Sequence, residues 1–143
     1  MINSRSLYDL HPQVMVRAKD FIDQCQASGV RVLIYSTYRD NEHQDTLYAK
    51  GRTAPGRVVT NAKGGQSIHN YRLAFDFVPL DARGHAVWDN DALWDLCGAI
   101  GELAGLTWGG RWTSFVDKPH MQWTDGLSIA ELQAGAIPPF VVG

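Results

Sequence analysis

Four side chains in two short segments of the sequence could carry out metal-assisted chemistry. The first segment holds His69 and, seven residues later, Asp76, which interrupts a run of apolar residues. The second holds Asp117 and, three residues later, His120. Two histidines and one carboxylate form a ligand set that suits a catalytic zinc ion, with the fourth coordination position left for water. A second carboxylate beside such a site could act as the general base that hydrolysis requires.

Asp76 is a charged residue in a predicted strand whose other residues are apolar. Because strand side chains alternate between two faces, Ala74, Asp76 and Val78 share one face, and the phenylalanines beside Asp76 share the other. An ionised carboxylate in an apolar strand is costly unless it is paired or bound to a metal. The residues alone leave a simpler interpretation open, in which Asp76 is solvated, His69 is a loop residue and His120 is a surface histidine. Together, the two segments favour a metal site.

Apolar periodicity and turn residues predict the elements that position these side chains. Helices are predicted over 12–27, 41–50 and 91–103, with a short helix beginning at Ser128, and extended segments over 30–35, 73–78, 106–108 and 119–123. Residues 52–66 are predicted to form a long surface loop, and such loops are often functional. Since helices and strands do not alternate regularly, the predicted fold class is α+β, a small antiparallel sheet with helices packed on it.

Length and composition limit the class of protein. A chain of 143 residues forms one domain, predicted over 1–143, and its 45% hydrophobic and 20% charged residues are typical of a globular protein. A net charge of −2 without a basic stripe argues against a nucleic-acid partner. No apolar run reaches the roughly 20 residues of a membrane helix, so we expect no stable membrane association. Cys25 and Cys97 are predicted to be reduced core thiols.

Three short motifs resemble the signature of the VanY-like zinc peptidases, the family of D-alanyl-D-alanine carboxypeptidases and L-alanyl-D-glutamate endopeptidases. They are Ser67-x-His69, Ala74-x-Asp76 and Asp117-x-x-His120. Further matches are Tyr38-Arg39, Gln44, Leu47-Tyr48, Gly51-Arg52-Thr53 and Val59-Thr60-Asn61-Ala62. Within the family, the chain looks most like the single-domain phage endolysins and their bacterial homologues. The resemblance implies a fold of the Hedgehog and DD-peptidase type, with a zinc site on the face of the sheet.

The resemblance also implies a role for each motif residue. The implied zinc ligands are His69, Asp76 and His120. Asp117 corresponds to the catalytic acid/base, a position where the endopeptidases commonly have Asp and the carboxypeptidases commonly have Glu. Arg39 corresponds to the active-site arginine, which could stabilise an oxyanion or hold a substrate carboxylate. Ser67 could orient a ligand or the substrate through a hydrogen bond.

Position 72 departs from the family pattern, which usually has glycine there. If that glycine has a positive φ, Arg72 would be strained. Because Arg72 directly precedes the predicted strand, we instead predict that it is extended and lies at the rim of the substrate groove. There its charged end could meet the acidic groups of a wall peptide, so Arg72 is predicted to bind substrate together with Arg39 and Ser67.

The sequence therefore predicts a zinc-dependent peptidoglycan peptidase, an endolysin that hydrolyses the L-alanyl-D-glutamate bond of the stem peptide as a monomer. The start of the sequence has no apolar stretch typical of a signal peptide, which predicts accumulation in the cytoplasm until a membrane pore opens. Two other functions stay open. One is a D-alanyl-D-alanine carboxypeptidase. The other is an inactive zinc-containing module that binds wall peptides, which Arg72 favours and which Asp117 and Arg39 argue against.

Overall fold

The computed structural model describes residues 1–141 and has the predicted helices and strands, with small differences at their ends. The helices are α1 (Pro12–Ala27), α2 (Asn41–Ala49), α3 (Asp91–Leu103) and α4 (Ile129–Gln133). The strands are β1 (Arg31–Ser36), β2 (Ala74–Leu80), β3 (Thr107–Trp108) and β4 (His120–Gln122). Short 3-10 helices cover Leu7–Asp9, Ile68–Tyr71 and Gly109–Arg111. Within residues 1–141, no helix has both the length and the apolar character to cross a bilayer.

The strands form one antiparallel sheet in the order β1-β2-β4-β3. Its register places Asp76 of β2 directly opposite His120 of β4. On the other side of β2, the pairing with β1 shifts between Ile34 and Ser36, and this bulge sets Ser36 opposite Asp76. Since paired residues project from the same face, the sheet brings these side chains together. The predicted α+β fold is therefore confirmed.

Helices α1 and α3 help to bury the opposite face of the sheet. Phe21 of α1 packs against the rings of Phe75 and Phe77, with centroids 5.9 and 4.9 Å away. These phenylalanines are fully buried, so the alternation of β2 turns Asp76 to the other face. Cys25 and Cys97 are buried and free, as predicted. The core thus fixes the strand that carries the central carboxylate of the site.

The predicted extended conformation of Arg72 is wrong. Arg72 has φ 65° and ψ 24°, which is the left-handed region, and it ends the 3-10 helix Ile68–Tyr71. Its N–H group donates to the carbonyl of His69 at 3.4 Å. The chain must reverse at this helix end before β2 begins, and a positive φ provides that reversal. The sequence pattern of the strand did not reveal the helix in front of it.

Contacts of its side chain hold Arg72 in this conformation. A left-handed residue other than glycine costs about 1–2 kcal/mol. The guanidinium group stacks over the ring of Tyr38 at 3.8 Å and donates to the carbonyl of Asp9 at 2.9 Å. These contacts offset part of the backbone cost, and they direct the side chain toward the 3-10 helix Leu7–Asp9.

Candidate active site

His69, Asp76 and His120 form a cluster on the face of the sheet opposite the core. Each of them offers one ligand atom, and these three atoms lie within 4.8 Å of one another. Oδ1 of Asp76 is 3.3 Å from Nε2 of His69 and 3.6 Å from Nδ1 of His120. In a tetrahedral zinc site with bonds of about 2.1 Å, neighbouring ligand atoms are about 3.4 Å apart. The cluster therefore has the spacing and the ligand types that zinc requires.

Hydrogen bonds determine which nitrogen of each histidine faces the cluster. Nδ1 of His69 lies 2.8 Å from the carbonyl oxygen of Thr37, which can only accept, so Nδ1 carries a proton and Nε2 is the nitrogen that faces the cluster. His120 has the opposite arrangement, because its Nε2 lies 2.8 Å from Oε1 of Gln122 and its Nδ1 faces the cluster. In metal sites, a hydrogen bond from the ring nitrogen that does not bind the metal orients the histidine. Gln122 is a residue of the site that the motifs did not reveal, because its role depends on this contact in the folded chain.

Arg39 holds the second carboxylate oxygen of Asp76. Its Nη2 lies 3.6 Å from Oδ2 of Asp76, and both side chains are only 14% exposed. The same guanidinium group donates to Oε1 of Gln44 at 2.9 Å and to Oγ of Ser36 at 3.1 Å. Because Oδ2 is held in this way, Oδ1 is left to face the two histidines. Nε of Arg39 is buried without a hydrogen-bond partner in residues 1–141, an arrangement that is rare in folded proteins and costs free energy.

Gln44 connects this arginine to the long loop over residues 52–66. The side chain of Gln44 is almost completely buried, and its Nε2 donates to the carbonyl of Ala62 at 2.8 Å. Its Oε1 accepts a hydrogen bond from Arg39, so the same carboxamide group contacts both the arginine and the loop. The sequence offered a partial signal, since Gln44 belongs to the matched family pattern, but spacing alone could not identify its partners.

Asp117 lies beside the cluster, on the segment that leads into β4. Its Oδ2 is 3.9 Å from Nδ1 of His120, the nitrogen that faces Asp76. The N–H group of Asp117 donates to the carbonyl of Gly109 at 3.0 Å. A Cβ atom at position 109 would lie only 2.4 Å from the carbonyl oxygen of Asp117, so this close approach requires glycine. Asp117 is half-exposed and thus accessible beside the candidate ligands.

Burial and neighbouring charges shift the pKa values of the acidic groups of the metal-free cluster in opposite directions. Burial alone would raise the pKa of Asp76, but the contacts with His69 and His120 outweigh it and hold the pKa well below its ordinary value. Burial raises the pKa of Asp117, against the opposing effect of His120. Asp76 is therefore suited to stay ionised as a ligand, whereas Asp117 is suited to exchange a proton.

Ser67 positions His69 through its backbone. Its Oγ accepts a hydrogen bond from the N–H group of His69 at 3.2 Å and caps the 3-10 helix Ile68–Tyr71. Asn70 completes the capping box, because its side chain accepts from the N–H group of Ser67 at 3.1 Å. The contact of Ser67 is therefore with the main chain of a candidate ligand.

A groove of about 800 Å³ opens beside the cluster, and Asp117 is one of the residues that line it. We refer to residues 58–62 of the long loop as one wall of the groove and to its lining residues from segment 112–117 as the other, and the lining is completed by Gln66, Ile129 and Gln133. Arg72 is not among the lining residues and instead lines a separate cavity of about 310 Å³ together with Tyr38 and Tyr71. The left-handed backbone of Arg72 and its contact with Tyr38 direct the side chain toward this cavity and away from the groove beside Asp117, and substrate binding by Arg72 stays a prediction.

Comparison with protein families places the cluster in a known sequence pattern. The sequence profile of the D-alanyl-D-alanine carboxypeptidase family matches residues 60–123. This segment contains the four residues of the two motif segments, which are His69, Asp76, Asp117 and His120. The match therefore covers the part of the chain in which the candidate ligands converge.

Two curated proteins and one solved structure illustrate the similarity. The peptidoglycan L-alanyl-D-glutamate endopeptidase CwlK of Bacillus subtilis is 37% identical over 122 residues, covering 80% of this chain and 73% of CwlK. The L-alanyl-D-glutamate peptidase of Listeria phage A118 is 32% identical over 130 residues, covering 84% of this chain and 41% of the phage protein. The D,D-pentapeptidase VanY of a VanB-type resistance cassette, solved with Zn(II), has the same fold at 15% identity. Its TM-score is 0.59, with 90% of this chain and 80% of that chain covered.

Proposed function

The chain belongs to the D-alanyl-D-alanine carboxypeptidase family of zinc peptidases, and on this premise we propose that it is a peptidoglycan L-alanyl-D-glutamate endopeptidase. One observation carries the proposal. The candidate ligands and Asp117 converge in a chain that is 37% identical to CwlK over most of both lengths. The substrate is the stem peptide of the cell wall, and residues 1–143 form one catalytic domain.

His69, Asp76 and His120 are the residues that would hold zinc. The spacing of their ligand atoms and the hydrogen bonds that fix both histidine tautomers support this assignment. When bound, zinc supplies a Lewis acid for the scissile carbonyl and lowers the pKa of a bound water molecule. Arg39 keeps Oδ2 of Asp76 in place, so that Oδ1 faces the histidines.

Asp117 is the general base and general acid of the proposed reaction. Its carboxylate accepts the proton of the attacking water molecule and then donates it to the leaving amine of the D-glutamyl residue. Burial raises the pKa of Asp117, which strengthens it as a base. Arg39 already contacts Gln44, Ser36 and Asp76, and these contacts favour a positioning role over direct contact with the substrate.

The product formed from purified muropeptides tests this function. We expect a new D-glutamyl N-terminus, identified by mass spectrometry, which is lost when the zinc is removed by a chelator and restored when zinc is added back. Release of free D-alanine would instead identify a D-alanyl-D-alanine carboxypeptidase, the second candidate, which the match of residues 60–123 to the carboxypeptidase family favours. Binding of muropeptides without cleavage would identify an inactive wall-peptide module.

A further inference from the structure

The groove beside Asp117 has exposed apolar side chains on both walls. Val58 and Val59 on one wall are 55% and 58% exposed, and Phe115 and Val116 on the other are 78% and 56% exposed. Exposed apolar side chains that face a common space mark a binding surface. Asp117 is the one charged residue among the lining residues of the groove in the described part of the chain. The groove therefore suits an uncharged group.

Phe115 has a backbone conformation that its own packing does not explain. Its φ is 53°, in the left-handed region that side chains with a Cβ atom rarely adopt. Because most of its ring is exposed, burial of the ring in the folded chain does little to offset the cost of this conformation. Residues in such conformations cluster at functional sites, where the strain helps to preorganise a contact.

Hydrogen bonds hold the wall opposite Phe115 in place without substrate. Arg52 donates from Nη1 to the carbonyl of Thr60 at 3.0 Å and from Nη2 to Oδ1 of Asn61 at 3.1 Å. Gln44 donates to the carbonyl of Ala62 next to them. A preformed wall loses little conformational entropy when a ligand binds, so its apolar contacts can contribute to affinity.

We infer that Phe115, together with Val58 and Val59, binds the alanyl side of the scissile bond and selects an uncharged residue there. This inference rests on the proposed function. The two sides of an L-alanyl-D-glutamate bond differ, because alanine offers a methyl group and glutamate offers a carboxylate. A carboxylate would lose hydration in the apolar part of the groove, where none of the described lining residues carries a positive charge. The alanyl side therefore lies between the walls, and the glutamyl side lies beyond Asp117.

Variants of Phe115 separate the contribution of the ring from that of the backbone. Phe115→Gly removes the ring and also relieves the left-handed strain, so it does not threaten folding. Phe115→Leu keeps an apolar side chain. Tyr8→Ala is the matched control, because Tyr8 is an aromatic residue that is 79% exposed and does not line the groove. Synthetic stem peptides with L-Ala or L-Asp before the scissile bond, and with D-Glu or D-Gln after it, provide the substrates.

The expected result is a change in binding that is confined to one side of the bond. Phe115→Gly raises KM for the L-Ala peptide about tenfold at nearly constant kcat, and it lowers the preference for L-Ala over L-Asp by a similar factor. Phe115→Leu has an intermediate effect. The preference between D-Glu and D-Gln stays unchanged in both variants, and Tyr8→Ala behaves like the wild-type protein.

Two results would overturn the inference while leaving the proposed function intact. In one, the wild-type protein cleaves the peptides and Phe115→Gly leaves KM unchanged. In the other, Phe115→Gly alters the preference between D-Glu and D-Gln and not that between L-Ala and L-Asp. If the wild-type protein cleaves none of the peptides at this bond, the proposed function fails and the inference fails with it.

Discussion

At the scale of single residues, each histidine of the cluster has one ring nitrogen hydrogen-bonded to a protein oxygen outside the cluster. The other ring nitrogens, Nε2 of His69 and Nδ1 of His120, both approach the same oxygen of Asp76. Metal binding requires each of these nitrogens to give up any proton it carries, and the ring then presents a lone pair in a defined direction. The outer hydrogen bonds thus orient both rings toward one point before a metal binds.

Removal of one ligand should remove the metal. We expect the wild-type protein to bind one zinc ion per chain, and His120→Ala to lose most of it, because two ligands cannot complete a site of this type. Metal content after dialysis, measured by atomic emission, tests this expectation. His85→Ala is the control, since the side chain of His85 is 73% exposed and is not part of the cluster. Tight binding of one zinc ion by His120→Ala would show that His120 is not a ligand.

Gln122 provides a more sensitive test, because it should act only through His120. Gln122→Ala removes the acceptor for Nε2 of His120 and should weaken zinc binding by about 10- to 100-fold. Gln122→Glu keeps an acceptor at this position and should recover most of the affinity. Competition with a chromophoric chelator measures both values. Equal weakening by Ala and Glu would mean that the hydrogen bond does not orient the ring.

At the scale of elements, the site is formed where β2 pairs with β4 and where the 3-10 helix Ile68–Tyr71 precedes β2. Strand alternation in the sequence predicted which face Asp76 occupies, and the structure agrees. The register that sets Asp76 opposite His120 was not predictable, because it depends on how distant segments pack. The conformation of Arg72 was predicted wrongly for a different reason. Arg72 follows a 3-10 helix of only four residues, and so short a helix leaves little periodic signal in a sequence.

The backbone of Arg72 can be tested apart from its side chain. Arg72→Asn and Arg72→Val both remove the guanidinium contacts with Tyr38 and Asp9. Asn tolerates the left-handed region, whereas a β-branched residue does not. We therefore expect Arg72→Val to have a free energy of unfolding about 1–2 kcal/mol below that of Arg72→Asn in urea denaturation. Equal stabilities would indicate that position 72 does not need a positive φ.

At the scale of the whole molecule, the candidate ligands connect parts of the chain that are distant in sequence. His69 lies before β2, Asp76 lies within it and His120 begins β4, so a metal ion would tie the 3-10 helix to two strands of the sheet. Sequence motifs predicted these candidate ligands, because the residues of each motif lie close together in the sequence. The walls of the groove could not be predicted in the same way, because residues 58–62 and 112–117 meet only in the folded chain.

Zinc should consequently stabilise the folded chain. A ligand that binds only the folded state adds about 4 kcal/mol to the free energy of unfolding when its free concentration is about a thousand times the dissociation constant. We expect a corresponding rise in Tm when zinc is added to metal-free protein, measured by calorimetry. Asp76→Asn, which replaces the central carboxylate, should show a much smaller rise. A similar rise in both proteins would place the zinc elsewhere.

The most direct test of the central claim is a zinc titration of the metal-free protein, followed by chromatography of the muropeptide products. We predict that cleavage between L-alanine and D-glutamate rises to a plateau at one zinc equivalent per chain. Asp117→Asn should bind the same equivalent yet cleave at least about a hundredfold more slowly, because it has lost its general base. Full cleavage without metal, or unchanged cleavage by Asp117→Asn, would contradict the account of this protein as a zinc endopeptidase that uses Asp117.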